Sequence, residues 1–196
     1  MLEFPKRWLG ASVCALFVAV ILSGMVAGAG DPVTGRDYTG ACGSCHGSKG
    51  ISTNPMIPSL AGQDRSYLVG QLQDYRQGQR RHAAMEGIIL TLTDGDIAYM
   101  ATHYAKQASM ASKKQFIFKK GEEGERFYKA CKGCHGDRAE GRDGIPRLAG
   151  QQAVYLERTL LAYQSGERSA PGMNEVVIPL TPEQVKALSR FLSSLR

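Results

Sequence analysis

One five-residue pattern, present twice, constrains this chain more than anything else in it. Cys42-Gly43-Ser44-Cys45-His46 has the form C-x-x-C-H, and Cys131-Lys132-Gly133-Cys134-His135 repeats it 89 residues later. Two thiols three positions apart fit within one helical turn. There they can reach the two vinyl groups on one edge of a porphyrin, and the histidine that follows falls under the iron. A bare C-x-x-C also marks zinc sites and redox-active dithiols. Here each pair is followed at once by His and sits in its own copy of a longer repeat. The expectation is therefore two haem c groups, one joined covalently to Cys42 and Cys45 and one to Cys131 and Cys134. His46 and His135 are the proximal ligands. A single zinc site built from all four cysteines is the alternative for the same residues.

The fifth cysteine, Cys14, belongs to an apolar leader. Lys6 and Arg7 form a positive start, Trp8 to Val26 is almost wholly apolar, and Ala27-Gly28-Ala29 fits the small-x-small cleavage rule. Residues 1–29 are thus expected to be a signal peptide, with the mature chain starting near Gly30. Left uncut, the run is long enough to anchor the protein, since about 20 apolar residues span a bilayer. In both cases the rest is exported, which places it in the periplasm and leaves no cysteine for a structural disulfide.

The formal charge of +6 points towards nucleic acid only until its distribution is considered. Residues 31–108 carry seven basic and seven acidic side chains, and residues 121–196 carry eleven and ten. The excess is Lys113, Lys114, Lys119 and Lys120, between the halves. No basic face of the kind a phosphate backbone requires is implied. The lysines are instead candidates for steering towards an acidic partner.

The repeat extends well beyond the cysteines. Tyr38 and Phe127 each precede the first cysteine by four residues, on the same face of a short helix that delivers the motif, and Gly47 and Gly136 suit its C-terminal cap. Pro58-Ser59-Leu60-Ala61-Gly62-Gln63 matches Pro146-Arg147-Leu148-Ala149-Gly150-Gln151, and the proline carbonyls are candidate acceptors for the second ring nitrogen of each motif histidine. Leu68, Leu72 and Tyr75 recur as Leu156, Leu160 and Tyr163 at helical spacing. Both helices run into a glycine and an arginine (Gly78, Arg80; Gly166, Arg168), where the tyrosine or the arginine is a candidate partner for a haem propionate. Thr93 and Thr181 open a closing helix in each half, with Pro182 at a first helical position. Ile97, Met100 and Tyr104 correspond to Val185, Leu188 and Leu192, a stripe expected to pack on the motif helix. The chain divides into residues 30–108, a linker at 109–120 whose Phe116-Ile117-Phe118 run docks on a domain, and residues 121–196. Each half is small for an independent core, and a porphyrin supplies apolar surface to bury.

This order of motifs resembles class I cytochrome c, and the duplication resembles the dihaem cytochromes of the c-four type from bacterial periplasms. The resemblance runs from about Gly35 to the C-terminus. It implies an all-α fold of two tandem class I cytochrome c domains, each wrapped around one covalent haem. It also implies Met85 and Met173 as the distal iron ligands opposite His46 and His135. Both methionines follow the arginine tract, 88 residues apart, whereas Met56, Met100, Met110, His82 and His103 have no methionine or histidine at the equivalent place. Arg80-Arg81-His82, where the second half has Arg168-Ser169-Ala170, departs from the pattern and leaves His82 as the rival ligand for the first iron.

The function implied is a one-electron carrier without catalytic residues, exchanging electrons with redox proteins of a respiratory chain and donating to a membrane-bound terminal oxidase. Its contact with the membrane is through that partner or an uncleaved leader. Two rivals are a cytochrome subunit held by a dehydrogenase or oxidase complex and a dihaem peroxidase-like enzyme. The enzyme needs one iron with an open distal position, against which the methionine in each half counts.

Overall fold

The helices follow the sequence repeat. In the computed structural model, residues 38–109 and 123–195 are described, so the leader, the linker lysines and Phe116-Ile117-Phe118 lie outside them. The first half contains α1 (Thr39–His46), α2 (Arg65–Arg76), α3 (Ala83–Ile89) and α4 (Asp94–Ala105). The second contains α5 (Glu123–Tyr128), α6 (Lys132–His135), α7 (Ala153–Ser165), α8 (Met173–Val177) and α9 (Pro182–Ser194). Among the described residues the only strand-like pairing is an isolated bridge between Arg142 and Ile145. Among the described residues the fold is all-α, in two tandem halves of the same helical order.

Local chemistry sets the element ends. Thr93 and Thr181 each accept from the backbone N–H three residues on, and Asp96 and Gln184 reach back to the threonine N–H, so α4 and α9 both begin with a complete capping box. Pro182 takes the first helical position of α9, where its missing N–H leaves nothing unpaired. Gly166 ends α7 in the left-handed conformation, and Gly47 and Gly136 end α1 and α6 at φ of 84° and 86°.

The closing helix of each half is its wall. In the first, Met100, Ala101 and Tyr104 of α4 pack with Leu68 of α2 against Tyr38 and Cys42. In the second, Val185, Leu188, Phe191 and Leu192 of α9 pack with Leu156, Leu160 and Tyr163 of α7 against Phe127 and Cys131. The crossing of α5 over α9 is close because Gly124 has no side chain. A Cβ there would stand 2.4 Å from the Ala187 carbonyl oxygen and 2.5 Å from Cβ of Phe191.

Two local features differ from the sequence expectation. The second motif helix is broken between Tyr128 and Lys132. The break is a tightened turn, in which Cys131 N–H donates to Tyr128 C=O at 2.9 Å, and the α-helical pattern resumes with His135 N–H to Cys131 C=O at 3.0 Å. The stretches holding Met85 and Met173, to which the sequence reading assigns no element, are the short helices α3 and α8.

Candidate haem sites

Each motif histidine is oriented by a proline carbonyl from the loop beyond it. His46 Nδ1 lies 2.8 Å from Pro58 O, and His135 Nδ1 lies 2.9 Å from Pro146 O. A carbonyl only accepts, so Nδ1 carries the proton in both rings and Nε2 keeps its lone pair. Burial pushes both imidazoles below the ordinary histidine value, against the raising effect of the proline hydrogen bond, and for His46 the charges of Arg80 and His82 act in the same direction as burial. Both rings are thus neutral at pH 7 and presented with a free nitrogen, the state a metal requires.

The proline loops are held in register by the backbone. Leu60 and Ala61 donate to the Gly50 carbonyl, and Leu148 and Ala149 donate to that of Ala139. Gly50 has a φ of 71°, and Ala139, at the matching place, adopts φ 56°. What permits the alanine is the neighbour on the closing helix. A Cβ on Gly50 would come within 2.6 Å of the Tyr104 ring, whereas the second half has Leu192 at that place.

Cys42 and Cys131 are half-buried against their domain cores, while Cys45 and Cys134 are exposed. Burial raises the Cys42 thiol, and burial with the neighbouring Cys134 raises Cys131 to about 11. The four cysteines are not brought together. Among the described residues no group of three or more His, Cys, Asp or Glu could hold a metal ion, which removes the all-cysteine zinc reading. Met85 lies half-buried in α3, and Met173 is the first residue of α8, packed on the second core. His82 is exposed at the N-cap of α3 and gives no side-chain cap.

The halves meet through their proline loops, and the contact is reciprocal. Gln151 Oε1 accepts from Ser59 N–H at 2.8 Å, and its Nε2 donates to Ser59 C=O at 2.9 Å. Gln63 Oε1 accepts from Arg147 N–H at 2.7 Å, and its Nε2 donates to Arg147 C=O at 3.0 Å. Ser59 and Arg147 are equivalent positions of the repeat, as are Gln63 and Gln151. A contact in which each partner plays the same part on the other is the signature of a twofold relation, here within one chain.

The same relation gathers four further side chains. Arg80 donates to the Tyr155 hydroxyl at 3.1 Å, and Arg168 donates to the Tyr67 hydroxyl at 2.9 Å. Each guanidinium also lies over the tyrosine ending its own half's second helix, Arg80 over Tyr75 at 4.7 Å and Arg168 over Tyr163 at 4.8 Å. Arg168 is buried and Arg80 half-buried, yet among the described residues neither has a carboxylate at ion-pair distance. Burial acts to raise the Tyr155 phenol, but these two charges overcome it and bring it down to about 8. A buried guanidinium and a half-buried one without an anion are costly. A cofactor that brings its own carboxylates, as haem does, fits this donor set, and Arg80, Arg168, Tyr67 and Tyr155 are the residues that would hold its propionates.

The family model described as Cytochrome c matches residues 121–196. Cytochrome c4 of Pseudomonas aeruginosa is 31% identical over 92% of this chain and 96% of its own length. The structure of reduced recombinant cytochrome c4 from Pseudomonas stutzeri superposes with a TM-score of 0.73 at 30% identity, over 86% of this chain and all of that one. A protein of Thiomonas intermedia named thiosulfate dehydrogenase electron acceptor is 30% identical over 79% of this chain and 78% of its own.

Proposed function

Because the chain belongs to the cytochrome c4 family, an electron-transfer family that carries two covalent haem c groups, we propose that it is a periplasmic one-electron carrier that delivers electrons to a terminal oxidase of a respiratory chain. Each bound haem supplies reversible one-electron exchange at its iron. The chain's own residues set the terms of that exchange. Cys42 with Cys45, and Cys131 with Cys134, anchor the two groups. His46 and His135 would hold the irons through Nε2, and Met85 and Met173 would supply thioether ligands to them. Methionine across from histidine favours the reduced metal and raises its potential, which suits delivery to an oxidase.

The observation that carries this reading is the pair of His–Pro hydrogen bonds, 2.8 and 2.9 Å. Both halves hold the imidazole in the same tautomer, so both offer a fixed site to iron. The apolar leader at residues 1–29 supports export, and among the described residues no helix is long and apolar enough to cross a membrane.

A second reading, an electron acceptor serving a dehydrogenase, is favoured by the likeness to the Thiomonas protein. The two separate in paired stopped-flow reactions. If the ferrous protein is reoxidised rapidly by oxidase-containing membranes and the ferric protein is left oxidised by thiosulfate dehydrogenase with thiosulfate, delivery to the oxidase stands. The opposite pattern replaces it with the second reading.

A further inference from the structure

The closing helices of the two halves are tied to their proline loops through the same backbone frame. Tyr104 C=O accepts from Gly62 N–H at 2.9 Å, and Leu192 C=O accepts from Gly150 N–H at 3.0 Å. The side chains on that frame differ. Tyr104 is 2% exposed with its hydroxyl sealed from solvent, and Leu192 has no polar side-chain atom to offer. The tyrosine ring fits because position 50 is glycine, whereas Ala139 stands at the matching place in the second half.

The ring carries its hydroxyl into the first motif. Tyr104 packs with Leu68 and Met100 against Cys42. Burial raises the Cys42 thiol, and a side-chain hydrogen bond with Tyr104 acts the other way. Once that sulfur is a thioether it has no proton left and can only accept, so the phenol is the donor. The Ser44 hydroxyl lies 3.8 Å from Cys45 Sγ, but its one proton is on the Ala41 carbonyl at 2.7 Å, and both groups are exposed. In the second half the buried phenol of Tyr128, three residues before Cys131, is committed elsewhere and donates to Gly136 C=O at 2.5 Å. Burial and Cys134 are what act on the Cys131 thiol.

We propose that the Tyr104 hydroxyl donates a hydrogen bond to the Cys42 sulfur and thereby raises the potential of the first haem, a device the second half lacks. The inference rests on the dihaem-carrier reading above. The O–H dipole turns its positive end towards the edge of the macrocycle that the sulfur joins. A ferrous haem carries one negative charge more than a ferric one, so the dipole favours it, and in a site closed to water the effect is little screened. Hydrogen bonding around the cofactor is one of the levers a protein holds on haem potential.

The test uses the full-length holoprotein with Tyr104→Phe, which removes one oxygen, keeps the ring against Gly50 and changes no charge. Haem-methyl resonances followed through a redox titration assign each midpoint to its half. The expected result is a fall of the first haem's midpoint with the second nearly unmoved, read as a several-fold shift in how one electron is shared between the two irons. The wild-type protein should also show a slowly exchanging phenol proton with a nuclear Overhauser effect to the Cys42 β-protons, absent from the variant. A first midpoint that stays or rises, an equal fall of both, or a phenol proton bonded to another acceptor overturns the inference alone. A wild-type protein with fewer than two covalent haems overturns the carrier reading, and this inference with it.

Discussion

The reciprocal glutamine contact makes an unequal prediction from a symmetric motif. Gln151→Ala removes the acceptor of Ser59 N–H and the donor to Ser59 C=O, and Ser59 is only 7% exposed. Two buried backbone groups lose their partners, at about 1–3 kcal/mol each. Water entering the space left by the side chain repairs part of this, so the expected cost is about 2–4 kcal/mol. Gln63→Ala deletes the same pair of bonds to Arg147, but Arg147 is half-buried, and its backbone can turn to solvent. There the expected cost is about 1 kcal/mol, the net worth of ordinary hydrogen bonds. Guanidinium unfolding of the holoprotein, followed by far-UV circular dichroism and haem absorbance together, measures both. Gln151→Ala is expected to shift the midpoint at least twice as far as Gln63→Ala. Equal shifts, or a cost for Gln151→Ala under about 0.5 kcal/mol, would show that these bonds do not hold the halves together.

The remaining expectations concern separate parts of the molecule. Met85→Ala and Met173→Ala, made singly, should each lower the potential of one haem and remove about half of the weak far-red absorption of methionine on ferric iron; full retention in the Met85 variant together with loss in His82→Ala would reassign the first distal ligand. Gly50→Ala should cost about 2–4 kcal/mol, since it adds left-handed strain to overpacking against Tyr104, and calorimetry giving less than about 1 kcal/mol would contradict the contact. Replacing Lys113, Lys114, Lys119 and Lys120 by Gln should slow electron transfer to an acidic partner at low salt and flatten its dependence on ionic strength. An unchanged rate and slope in stopped flow would remove the linker from docking.

Much of this arrangement was legible in the sequence because the repeat writes each element twice. Thr93 and Thr181 announced both capping boxes, and Leu156, Leu160 and Tyr163 announced the buried face of α7. The prolines at 58 and 146 were candidate acceptors on chemical grounds, and both carbonyls are bonded to the motif histidines. What stayed hidden was short or belonged to the meeting of the halves. Helices α3 and α8, at seven and five residues, are too brief for periodicity to reveal. Gln63 and Gln151 were visible as matching letters, but which backbone they bind depends on how the halves dock. An amide kept in both copies, just past a loop that needs none, was the available signal.

The central claim is that each C-x-x-C-H copy carries one covalent haem, and intact mass spectrometry of the exported protein followed by peptide mapping tests it most directly. The expected mass is that of the mature polypeptide plus two haem groups. One haem-bearing peptide should contain Cys42 and Cys45, and the other Cys131 and Cys134. A mass with a single haem or none, or haem on peptides lacking those cysteines, would contradict it.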